Sequence, residues 1–274
     1  VQITENLKGM DWNSEYLNSL LTVLEANLSY VPSSTSKEEL ADISLFDHVK
    51  LTAAIASCIY DYLNENHLNS KETEFYETEA FLFCSLDISG IQKFIYTIAS
   101  KNALRTLRAR SFYLEIMMEH IIDTLLERLE LSRANLIYSG GGHCYLLLAN
   151  TQKTREVLNT FQKELQSWFL KYFRTELFVA FGYSVCSGNT FRNVPEGSYA
   201  NMFRQASAGI SKAKLHRYTA EEIIALNQYR ADDYTRECKV CKRIGQVDEK
   251  DVCPLCRKIE ALSQNILYDT FFSI

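Results

Sequence analysis

The sequence predicts an α+β fold: a ferredoxin-like βαββαβ palm, with an N-terminal helical segment before it and a C-terminal four-cysteine zinc ribbon behind it. Three observations carry this. Four apolar runs of strand length, "AFLFCSLDI", "ANLIYS", "CYLLLAN" and "LFVAFGYSV", succeed one another along the chain. Helical periodicity fills the first and third gaps between them, while glycines and one histidine fill the second. The tail "CKVCKRIGQVDEKDVCPLC" then carries two C-x2-C pairs.

Residues 1–70 read as helical. Leu17, Leu20, Leu21, Leu24 and Leu28 recur at helical spacing, which predicts an amphipathic helix over about Trp12–Leu28. A second helix is expected from about Leu45 to Leu63, with Val49, Ala53, Ala56, Tyr60 and Leu63 on one side. The polar stretch Asn64–Thr78 is the expected boundary to the sheet unit at 78–190. There the first strand, Ala80–Ile88, ends in Asp87, and Ser89 or Gly90 opens a long helical region whose second part carries Leu114, Met118, Ile121, Leu125 and Leu129. Asn150 or Thr151 can cap the next helix, with the stripe Leu158, Phe161, Leu165, Trp168 and Tyr172, before the closing strand Leu177–Val185. This order is that of the split βαβ unit, which sets two helices on one face of a four-stranded antiparallel sheet. A helical connection follows at 191–232, with helices near Ser198–Leu215 and Ala220–Gln228. The cysteine ribbon takes 233–262, and 263–274 opens a further, truncated apolar element.

Composition narrows the class. With 47% apolar and 12% aromatic residues, the 274-residue chain can bury a substantial core. A net charge of −5 carries no global nucleic-acid signature, so RNA or DNA contact would need local basic patches. No apolar stretch approaches the length of a membrane span, and no membrane partner is expected. Cys58, Cys84, Cys144 and Cys186 stand singly in apolar segments and read as buried free thiols, the usage of a cytoplasmic protein.

The other four cysteines carry the strongest local chemistry. Cys238 and Cys241, then Cys253 and Cys256, make two knuckles that supply four thiolates to one tetrahedral metal. Four protein ligands leave no position for water, so zinc here would be structural. Lys239, Lys242, Arg243, Arg257 and Lys258 make the ribbon basic, suiting either nucleic acid or solvent.

The hairpin "SGGGHCYL" has the outline of a nucleotidyl-transferase palm, yet Gly142 and His143 stand where metal-binding acids would be. Two-metal chemistry needs several carboxylates. Asp87, at the end of the neighbouring strand, could hold one metal at most, so independent catalysis is rejected. What remains is binding, with the backbone of Gly140, Gly141 and Gly142 open to a phosphate and His143 as donor, or a plain tight turn. A helix beginning at Ser89 or Gly90 would aim its N-terminus at the hairpin, a natural anion site. Lys101, Arg105, Arg108 and Arg110 suit a phosphate track or a solvated basic face.

"ADISLFDHVKLTAAIASCIYDYL", "LDISGIQKFIY", "LRARSFYLEIMMEHIID", "ANLIYSGGGHCYLLLANT" and the C-x2-C pairs, in that order, resemble the large subunit of type III-A CRISPR effector (Csm) complexes. The resemblance implies part of a protein with an HD nuclease domain, two palms, a zinc ribbon between them and a helical C-terminal domain. It implies RNA-guided antiviral defence, with CRISPR RNA and target RNA, single-stranded DNA and other Csm subunits, including the small subunit, as partners. In that family the HD domain cleaves single-stranded DNA and the paired palms make cyclic oligoadenylates from ATP, with Mg or Mn held by a Gly-Gly-Asp-Asp hairpin of the second palm, a motif absent here. The first palm is then expected to cradle one ATP through Asp87, Ser89, Gly90, Gly140, Gly141, Gly142 and His143, and to be inactive by itself. Asp47 and His48 echo HD metal ligands, although adjacent helical residues point about 100° apart. The competing reading is a non-catalytic scaffold that braces the ribonucleoprotein and contacts RNA.

Overall fold

The computed structural model describes residues 5, 14–36, 38, 42–71, 73–97, 103–228 and 236–268. Strand β1 (Phe81–Ser89) lies at its centre, paired antiparallel with β3 (His143–Ala149) on one edge and β4 (Phe178–Cys186) on the other. Strand β2 (Leu136–Gly140) adds outside β3, giving a four-stranded antiparallel sheet in the order β2-β3-β1-β4. Each of the four apolar runs is a strand, and each sequence-predicted boundary lies within two residues of the observed one.

Both faces of the sheet are covered, which is why β1 reads as an unbroken apolar run rather than an alternating one. Leu82, Cys84, Leu86 and Ile88 pack against α4 (Ala103–Arg128) and α5 (Gln152–Phe173). Phe81 and Phe83 face the other way, against α2 (Leu45–Asn66) and α7 (Ser198–Leu215). The remaining helices are α1 (Ser14–Leu28), α3 (Ile91–Tyr96), α6 (Gly188–Phe191), α8 (Ala220–Asn227) and α9 (Pro254–Tyr268). Among the described residues, no helix is long and apolar enough to cross a membrane.

Local capping explains several boundaries. Ser44 accepts the amide of Asp47 at the start of α2, and Thr151 accepts that of Thr154 at the start of α5. Thr219 and Glu222 form a capping box at the start of α8.

Three expectations need correction. The region after Gly90 is not one helix: α3 spans six residues and ends at Tyr96, and the backbone of Thr97 beyond it is not helical. Helix α2 buries Phe46, Ala54 and Cys58, while Val49 and Tyr60 are exposed. The face turned to the sheet carries Ala54 and Cys58 at its centre, with Ile55, Ile59 and Tyr62 partly buried around them. Asn135 fixes this packing: fully buried, its side-chain amide donates to Leu147 O at 2.9 Å and to Ser57 Oγ on α2 at 3.0 Å. In α5 the stripe turns at its end from Trp168 and Tyr172, both partly exposed, to Phe169 and Phe173, which join Phe94 and Tyr113 in an aromatic cluster.

The four single cysteines are buried free thiols as expected. Burial pushes Cys58, Cys144 and Cys186 up to about 12, so they stay protonated and inert at neutral pH.

Helix α7 crosses β4 at a contact that only glycine permits. A Cβ on Gly182 would lie 2.0 Å from Ala206 O, and one on Gly209 would lie 2.9 Å from Gly182 Cα. Overpacking of this kind costs about 1–3 kcal/mol. Gly182→Val is expected to lose at least that much stability in denaturant titration, because backbone, not a flexible side chain, stands in the way.

Candidate functional site

The β1–β3 register sets Asp87 directly opposite His143, with Ala180 as its neighbour on β4. Strand alternation puts Ser85 and Asp87 on the face that Phe81 and Phe83 share with α2 and α7. Gly141 and Gly142 form a two-residue turn between β2 and β3, both at positive φ (62° and 80°), as the tight primed hairpin turn requires. Gly142 O accepts the Ile88 amide at 2.8 Å, and a Cβ on Gly142 would meet Ile91 Cδ1 at 2.2 Å. A Cβ on Gly141 would meet nothing within 4 Å. The turn is thus pressed against α3 on one side and open at its tip.

Asp87 has both oxygens engaged. His143 Nδ1 lies 3.3 Å from Oδ1, and Lys214 Nζ, from the last turn of α7, lies 2.6 Å from Oδ2. Burial alone would raise the carboxyl's pKa, but the hydrogen bonds from His143 and Lys214 outweigh it and hold Asp87 below its usual 3.8. The other ring nitrogen of His143 lies 3.4 Å from Ser85 Oγ, and the imidazole sits edge-to-face with Tyr145 at 4.6 Å. The cluster therefore offers an ion-paired carboxylate, a lysine, an oriented imidazole and open turn backbone. That set can hold an anion but gives a divalent cation no unpaired carboxylate.

Sequence reasoning missed Lys214. Its one local signal was a basic pair, Lys212 and Lys214, closing a helix, the usual complement to a helix C-terminus. Of Ser89 and Gly90, it is Gly90 that stands at the start of α3; Ser89 ends β1, and its hydroxyl is buried without a partner among the described residues. A six-residue helix makes a weaker anion site than the long one expected.

The basic run does not form one surface. Lys101 lies outside the described residues, Arg105 is half-buried and Arg108 is exposed. Arg110 is 2% exposed, turned toward Phe94 and Cys256, so it cannot contact a phosphate backbone in solvent. Asp47 and His48 are exposed at the first turn of α2, where Ser44 Oγ donates to Asp47 Oδ2 at 2.7 Å. They are an N-terminal capping pair and its neighbour, with no further ligand gathered around them among the described residues.

The one group of three or more metal-capable side chains among the described residues is Cys238, Cys241, Cys253 and Cys256, whose sulfurs all lie within 4.8 Å of one another. Cys241 Sγ and Cys253 Sγ are 3.7 Å apart. That is near the edge of a tetrahedron built on metal–sulfur distances of about 2.3 Å and far beyond a disulfide's ~2.05 Å. Cys238 Sγ accepts the Cys253 amide at 3.3 Å, as in a metal knuckle. The donor set and spacing therefore fit a closed four-sulfur centre. Arg243 clamps this module to the sheet domain through a two-pronged pair with Glu176, both contacts 2.5 Å, and a 2.9 Å bond to Tyr172 O. Lys239 and Arg236 pair with Asp251, Lys242 with Glu237 and Arg257 with Asp248. The ribbon's positive charge is largely neutralised in place, which disfavours its use as a nucleic-acid patch.

Together these features define a mixed α/β unit built on a four-stranded antiparallel sheet and carrying a docked four-cysteine module. The chain belongs to the Csm1 family: residues 80–229 match the family model described as Csm1 subunit domain B. A relative from Enterococcus italicus, the CRISPR system single-strand-specific deoxyribonuclease Cas10/Csm1 (subtype III-A), is 45% identical over 94% of this chain. The match covers 35% of that relative, so the chain spans about a third of its length. Among solved structures, the Csm1-Csm4 cassette with AMPPNP is similar at TM-score 0.68 and 31% identity, over 82% of this chain and 29% of that one. The same cassette with cA4 gives TM-score 0.65 and 31% identity, over 78% and 28%.

The depressed Asp87 pKa has a stability consequence. Ionised Asp87 stabilises the fold fully above its unfolded value near 3.8, and the contribution is lost as pH falls through the lower folded value. In acid titrations of stability, Asp87→Asn should therefore be less stable than the native protein at neutral pH by a constant gap. That gap should close progressively below about pH 4.

Proposed function

We propose that this chain is part of a type III-A CRISPR large subunit and that residues 78–190 are its first palm, a ferredoxin-like unit that binds one ATP for cyclic oligoadenylate synthesis. The end of an HD domain (1–70) precedes it; a helical connection (191–232), a zinc ribbon (233–262) and the start of a further element follow it. Catalytic carboxylates, with Mg or Mn, come from a second palm, and single-stranded DNA cleavage belongs to the HD domain. CRISPR RNA, target RNA and other Csm subunits are the partners, and the setting is cytoplasmic.

The observation that carries this reading is the Asp87–Lys214–His143 cluster beside an open glycine turn. Its geometry suits an anionic ligand and not a metal pair, the division of labour expected of a substrate-holding palm. Support also comes from the similar Csm1-Csm4 structures, which hold AMPPNP in one case and cA4 in another. Asp87, Ser89, Gly90, Gly140, Gly141, Gly142 and His143 line the half-site in this proposal, joined by Lys214 as the cation nearest an incoming phosphate.

Two measurements test it. Asn tolerates positive φ, so Gly141→Asn adds bulk at the open tip with little backbone strain. In the full-length protein it should weaken ATP binding about tenfold or more, a loss of ~1.4 kcal/mol, while assembly with partner subunits is unchanged. Intact oligoadenylate synthesis with impaired assembly would instead favour the scaffold reading. For the ribbon, metal analysis should find about one zinc per chain, bound by Cys238, Cys241, Cys253 and Cys256. Cys238→Ser should release it, and unaltered zinc content in that variant would rule the assignment out.

A further inference from the structure

Arg110 is the largest of the fully buried side chains, on a helix otherwise buried through apolar residues. Its guanidinium stays protonated in proteins, so a positive charge is enclosed. A buried charge is tolerated only when paired. Yet no carboxylate pairs with Arg110 among the described residues. Its guanidinium carbon stacks 4.9 Å from the centre of the Phe94 ring, Nη1 donates to Phe94 O, and Nη2 lies 3.6 Å from Cys256 Sγ. Nε has no partner.

A neutral thiol would not compensate this charge. A thiolate would, and four thiolates around one divalent cation keep two net negative charges. We infer that Arg110 is the buried counter-charge of the four-cysteine centre, binding that centre electrostatically to the sheet domain. The inference rests on the proposed metal occupancy of those cysteines and goes beyond it, because it assigns a function to a residue outside the ligand set. Arginine suits the place where lysine does not. Its planar fork serves a carbonyl and a sulfur at once while its face lies on an aromatic ring.

The arrangement is reciprocal. Arg243 reaches from the cysteine module to Glu176 of the sheet domain, while Arg110 reaches from the sheet domain to Cys256. Through Phe94 the second contact also holds α3, whose Ile91 lies against Gly142 of the glycine turn.

The test uses the full-length, metal-loaded protein and its Arg110→Met and Arg110→Lys variants. Zinc release to a chromogenic chelator should be at least about tenfold faster in Arg110→Met, in the range typical for losing an outer partner of a metal ligand. Arg110→Lys should fall between. Stripping zinc should lower the native protein's melting temperature more than it lowers that of Arg110→Met, since only the native chain is left with a stranded buried charge. Native release rates in both variants, or equal melting penalties, would overturn the inference while leaving the zinc reading standing. Absence of zinc from the native protein would overturn both. If Arg110→Met does not fold, the release rate of Arg110→Lys decides: faster than native supports the inference, and equal to native overturns it.

Discussion

Everything in this molecule hangs from β1, a strand paired on both edges and covered on both faces. A strand so placed has no tolerance for polar side chains along most of its length, and "FLFCSL" has one serine there. Polar function is therefore pushed to its end, where Asp87 emerges opposite His143 just as helix cover gives out. The two apolar layers are unequal. The α4–α5 side holds the larger cluster, with Ile259 of the cysteine module folded into it. The α2–α7 side is thinner and depends on small residues for its close contacts. Hydrophobic burial supplies the driving force on both sides, but backbone proximity decides which residues the second side accepts.

The same placement explains the electrostatics of the candidate site. A half-buried carboxylate at a strand end must be satisfied, and here the neighbouring strand and the last turn of α7 each contribute one donor. The result is a locally balanced cluster rather than an acidic hole. A catalytic metal site needs the opposite, an excess of negative charge held in wait for cations.

Much of this was legible in the sequence because the signals were local. Strand-length apolar runs, paired glycines at a hairpin and C-x2-C knuckles each specify their own geometry within a few residues. The helix expected near Ser198–Leu215 spans those residues. What was not legible depended on partners distant in the chain. Lys214 becomes part of the site only when α7 packs on β4, and Arg110 looked like one of four surface cations until the cysteine module closed over it. The buried face of α2 was not legible because spacing alone offered more than one apolar side, and contacts with Leu147 and Asn135, distant in the chain, selected the one with Ala54 and Cys58.

Asn135 has one more implication. By holding α2 and β3 with a single buried amide, it makes a helix that reads as belonging to the preceding segment into a permanent part of the sheet's second layer. The polar stretch at Asn64–Thr78 looks like the natural seam between modules, yet a division there would remove part of the cover from Phe81, Phe83 and Leu147. Helix α2 is therefore packed as part of the sheet unit, although it precedes the polar stretch in the chain. The unit of packing is larger than the unit of sequence pattern.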